Sequence, residues 1–143
     1  MTSNEIRQEI ARCQSTVDGL NSEIKKLQAD MEQLELLRKK FGVLQSDFAQ
    51  RQSERASRLN ASSEFSNLQC GRTYREGMLN LLNGNEFARA YNALGDDVSK
   101  IRSKQLEIDN TICDKQGKIA ALQCKLTELN IQYDEALRLE VTV

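Results

Sequence analysis

One apolar row between Phe87 and Ala136 limits what this chain can fold into. At alternating steps of four and three residues it reads Phe87, Tyr91, Leu94, Val98, Ile101, Gln105, Ile108, Ile112, Lys115, Ile119, Leu122, Leu126, Leu129, Tyr133 and Ala136. Only Gln105 and Lys115 interrupt it. A stripe recurring about every 3.5 residues is what one helix needs to stay in contact along another, because slight underwinding keeps the same face turned to its partner. The rest of the chain, or a second protein, has to supply that partner.

A matching row opens the chain. It runs Ile6, Ile10, Cys13, Val17, Leu20, Ile24, Leu27, Met31 and Leu34, and every seventh residue continues it through Phe41 and Phe48. The companion positions fail at Arg38 and Gln45, where Leu37 and Leu44 stand one residue earlier. The stripe is therefore expected to rotate sideways near Leu34, as a change of packing partner would require.

Local signals set the boundaries. Thr2 followed by Glu5 has the spacing of a capping box, so a helix is expected from about residue 3 to about 58. The short polar run Asn60-Ala61-Ser62-Ser63-Glu64 predicts a turn over about 60–65, and a shorter helix over about 66–83 follows, with Ser66 as its cap. Asn83-Gly84-Asn85 breaks the second arm, with Gly84 suited to a left-handed helix end and Asn83 or Asn85 to cap a last helix over about 86–139. The expected fold is all-α: an elongated, coiled-coil-like antiparallel helical hairpin forming a single helical domain over residues 1–143.

The hairpin can close in two ways. A reversal at Asn60 to Glu64, the preferred one, sets Phe48 against Arg75 and Met78 and leaves Leu126, Leu129 and Tyr133 overhanging with Leu122 at the edge, together a candidate partner interface. A reversal at Gly84 leaves Ile6 to Ile24 unmatched instead. Either way an uncovered apolar stripe predicts association with another helical protein or a second copy. Gln105 and Lys115 are the candidate register or specificity positions, since a polar group within a seam weakens packing while selecting alignment.

Composition bears mainly on which chemistries are excluded. With no histidine, the chain has no histidine-based triad or metal site, and none of its seven glycines falls in a phosphate-loop pattern. Cys13, Cys70, Cys113 and Cys124 have neither metal-knuckle nor redox-motif spacing and are expected to stay reduced. No catalytic residue, cofactor or metal is expected, and the chain does not read as an enzyme. Arg51, Arg55, Arg58, Arg72 and Arg75 concentrate positive charge mid-chain, but aromatic residues are sparse among them, and no nucleic-acid partner is expected. No apolar run approaches membrane-span length, so no membrane insertion is expected. Met1-Thr2-Ser3-Asn4-Glu5 lacks the basic-then-apolar layout of a cleaved leader, which implies folding in the cytoplasm and leaves export as a folded complex open.

The layout of long helix, turn with a glycine motif and second long helix resembles the WXG-type helical hairpins of type VII secretion. More closely it is similar to the small accessory proteins encoded beside LXG toxins in Gram-positive bacteria, whose first helix carries an Ile/Leu heptad and ends in a Phe-containing stretch like Phe41 to Phe48. At the place of the Trp-x-Gly turn stands Gln69-Cys70-Gly71, which keeps Gly71 and lacks the tryptophan. Tyr133 is followed four residues on by Leu137 rather than by the acid of the export signal. The resemblance implies a partner or targeting chaperone, without a cofactor, that binds the helical N-terminal domain of a toxin and supports its export. A self-assembling coiled coil and a flagellar or type III-like secretion chaperone are the alternative classes.

Overall fold

The computed structural model describes residues 1–61, 69–82 and 84–142. They form three α-helices, α1 (Ser3–Ala61), α2 (Gln69–Leu82) and α3 (Asn85–Val141), with no strand among the described residues. The protein is an all-α helical hairpin. Most of the expected turn over 60–65, the Ser66 cap and Asn83 lie outside the described residues, while α1 continues to Ala61.

Helix ends form where their chemistry allows. The capping box at α1 is reciprocal: Glu5 N donates to Thr2 Oγ1 at 3.3 Å, and Thr2 N donates to Glu5 Oε2 at 3.2 Å. Gly84, not Asn85, takes the cap position of α3, because its carbonyl accepts from Ala88 N at 3.2 Å and Asn85 is already helical. The expected left-handed Gly84 is corrected, since no described glycine has a positive φ. Glycine is needed there for close approach: a Cβ would stand 2.7 Å from the Asn80 carbonyl oxygen. At the end of α3, Thr142 Oγ1 donates to the Arg138 and Leu139 carbonyls at 3.1 and 3.0 Å.

The chain divides into two compact units, Met1–Glu32 with Gln105–Val143, and Gln33–Lys104, and both long helices contribute to each. Two paired helices bury a stripe rather than a thick core, so contacts stay local along their length. In the first unit α1 and α3 are antiparallel. Ser3 donates to Glu140 through its N (3.2 Å) and Oγ (2.8 Å), Lys125 approaches Glu9 at 3.8 Å, and Lys115 bonds Glu23. The Glu140 carboxylate thus accepts from one of the free backbone N–H groups at the positive end of α1. Ile6, Cys13 and Leu129 form a buried cluster, with Ile10, Leu122, Leu126, Tyr133 and Ala136 packed around it.

In the second unit the pairing is again antiparallel. Phe48 stacks on Phe87 with centroids 4.8 Å apart, Phe87 on Tyr91 at 6.0 Å, and Gln45 Nε2 donates to the Tyr91 carbonyl at 3.4 Å. Gly95 faces this contact closely, since a Cβ there would come 3.0 Å from Gln45 Nε2 and the amide would have to shift slightly. The register matches neither expected reversal: Phe48 meets Phe87 rather than Arg75 and Met78. Among the described residues, only Ile101 of the buried apolar set lies in this unit.

Gly19 and Gly117 sit in helix interiors where an added Cβ meets nothing within 4 Å. Gly19→Ala with Gly117→Ala is expected to stabilise the fold by about 2 kcal/mol through helix propensity alone. The check is a rise in melting temperature by circular dichroism; no change would mean that these helices are not held as described.

Candidate docking surface

Each residue of the row from Phe87 to Ala136 is buried or half-buried, including Gln105 and Lys115. The expected overhang is therefore corrected. Leu129 is 6% exposed and belongs to one cluster with Ile6 and Cys13, while Leu122, Leu126 and Tyr133 pack against that cluster from within the same chain. The physical reason is register: α3 slides farther along α1 than a reversal at Asn60 to Glu64 allows, so the two ends cover one another. Gly71 is helical and buried near the start of α2, and Cys70 beside it is exposed.

Lys115 lies on the seam with its ammonium reaching out to Glu23 on α1. Hydrogen bonding to Lys115 and its charge, helped by Lys118 and Lys26, hold the Glu23 carboxyl below its ordinary range. A group whose folded pKa is depressed binds protons more weakly folded than unfolded. Its contribution is thus present at neutral pH and disappears as pH falls through the folded value. Glu23→Gln is expected to lower the melting temperature at neutral pH and to make it less sensitive to acid. An acid limb identical to wild type would rule out this register contact.

The stripe of α1 does not rotate near Leu34. Leu34, Arg38, Phe41, Gln45, Phe48 and Gln52 are all half-buried, so the seam facing inward keeps the seven-residue spacing and accepts polar residues at Arg38, Gln45 and Gln52. Arg38 turns back to a bidentate pair with Glu35, which raises its pKa further, and Gln45 bonds across to α3. Leu37 and Leu44 are consequently left outside at 42% and 54% exposure, beside Leu36 at 60% and Val43 at 59%. These four side chains lie along one side of α1 over about two turns, with Lys40 between the two pairs and Lys39 beside Leu36 and Val43. Large adjacent apolar side chains in water mark an interaction surface more than a folding feature. The sequence carried a signal in the doublets Leu36-Leu37 and Val43-Leu44: neighbouring residues stand about 100° apart on a helix, so a doublet widens the apolar arc beyond a single seam.

A second feature of the same unit is a groove of about 250 Å³ lined by Phe48, Arg51, Gln52, Arg55, Leu81 and Phe87. Its stacked rings and two guanidinium groups can receive an apolar side chain with a carboxylate beside it. Its lining includes no nucleophile or general base. Among the described residues no cluster of three or more metal-ligating side chains occurs, and no helix is long and apolar enough to cross a membrane. Cys13 is buried, and Cys70, Cys113 and Cys124 are exposed free thiols.

Comparison with protein-family models, with curated proteins and with solved structures finds no match to this chain.

Proposed function

We propose that this chain is a non-enzymatic helical docking protein that binds another helical protein through the outer face of α1 around Leu36, Leu37, Val43 and Leu44. The observation that carries the reading is the division of labour along α1. Polar Arg38, Gln45 and Gln52 take the inward seam, and four large apolar residues are held in water. An amphipathic helix laid on such a face removes that surface from water and reads it through residues at helical spacing. The interface moves, with the corrected register, from Leu122, Leu126, Leu129 and Tyr133 to this face.

The resemblance to accessory hairpins of type VII secretion supplies the class of partner: the helical N-terminal domain of an LXG-type toxin. On this reading the complex forms in the cytoplasm and the chain serves as targeting chaperone, with joint export as a further step. The test is co-expression with the helical N-terminal domain of an LXG-type toxin, followed by size-exclusion chromatography. Joint elution at defined stoichiometry is expected; separate elution of two folded proteins would contradict the reading.

A further inference from the structure

We infer that two copies of the free chain pair face to face through this same surface, an inference that rests on its being a docking face and names what covers it before cargo arrives. Charge complementarity selects a second copy as the occupant. Lys40 and Asp47 are both exposed, and neither side chain has an ion-pair partner among the described residues. At about 100° and 1.5 Å per residue, seven residues bring the chain back to within about 20° of the same direction and about 10.5 Å farther along. Both charges therefore lie near the midline of the apolar face, with Leu36 and Val43 on one side of it and Leu37 and Leu44 on the other.

A charge at the centre of an apolar contact decides what can cover it. An all-apolar helix laid over Lys40 would strip water from an ammonium and return nothing for it. A second copy, antiparallel and related by a two-fold axis at the level between Val43 and Leu44, brings its Asp47 to Lys40 and its Lys40 to Asp47. The isologous contact makes the same ion pair twice. Around the axis Val43 meets its counterpart, Leu44 meets its counterpart, and Leu36 lies at the level of the Arg51 stem of the other copy. The face thus carries its own complement, in charge as well as in apolarity. Self-pairing would also hide the docking surface, so that a partner helix has to displace the second copy.

Sedimentation velocity on the full chain, over a range of concentrations, reads this directly. A reversible monomer–dimer equilibrium is expected. Lys40→Asp and Asp47→Lys alone each put like charges together twice and are expected to weaken the dimer by at least about tenfold. The double variant Lys40→Asp/Asp47→Lys restores both pairs with the signs exchanged, and its dimer returns to near wild-type strength. The substituted side chains are exposed, so helicity measured on the same samples should not change. A chain that stays monomeric at every concentration overturns the inference while leaving partner docking to its own co-elution test. A double variant as weak as the single ones overturns it as well, because the pairing would then run through other residues.

Discussion

Leu129→Ala should lower stability by about 3 kcal/mol, the cost of opening a cavity beneath a nearly buried leucine. Leu129 joins Ile6 and Cys13 in the cluster that holds the start of α1 to the end of α3. Because a two-helix seam has no second layer to relax into the gap, most of that loss should be felt, with a fall in melting temperature of roughly 10 °C. Were Leu129 part of a free edge awaiting a partner, the same substitution would leave melting nearly unchanged and damage binding alone. The two outcomes separate a structural seam from a docking edge.

The second large effect is the reverse case. Leu36→Asp combined with Val43→Asp should abolish joint elution with a helical partner, since each removes an apolar contact and places a carboxylate in the interface, a loss of about 3 kcal/mol or more in binding. At concentrations where the chain is monomeric, the melting temperature should stay within about 2 °C of wild type, because both side chains then stand in water and surface changes of this kind are nearly neutral. A large drop in melting temperature would instead place these leucine and valine side chains in the folded core.

Much of the fold was legible in the sequence. The row from Phe87 to Ala136 is the buried face of α3, and Thr2 with Glu5 caps α1 as their spacing implies. Both follow from local periodicity and hydrogen bonding, which neighbouring residues determine. Register was not legible, because heptads look alike when slid by seven: Ile6 and Cys13 can face Leu129, Leu122 or Ala136 equally well on pattern alone. The observed alignment brings together specific pairs, namely Lys115 with Glu23, Glu140 with Ser3 and Gln45 with the Tyr91 carbonyl. Lys115 stands out in a linear reading as a polar residue within the seam, but its partner Glu23 and the other two contacts do not.

The candidate surface escapes the sequence for a related reason. Pattern alone puts Leu37 and Leu44 into the seam in place of Arg38 and Gln45, on the premise that apolar residues always take the inward place. Arg38 and Gln45 hold it because each finds a hydrogen-bond partner there, Glu35 for one and the Tyr91 carbonyl for the other. With those polar groups satisfied, the helix keeps its spacing and turns its leucines outward.

Thiol labelling of the native chain, followed residue by residue with mass spectrometry, tests most directly whether the two helix ends cover one another. Cys70, Cys113 and Cys124 are exposed and Cys13 is 5% exposed against Leu129 and its neighbours. The account predicts that the first three react with a maleimide promptly, while Cys13 reacts only as the protein unfolds. Modification of Cys13 at the same rate as the others would show the start of α1 uncovered, and would return the free apolar edge to the ends of the helices.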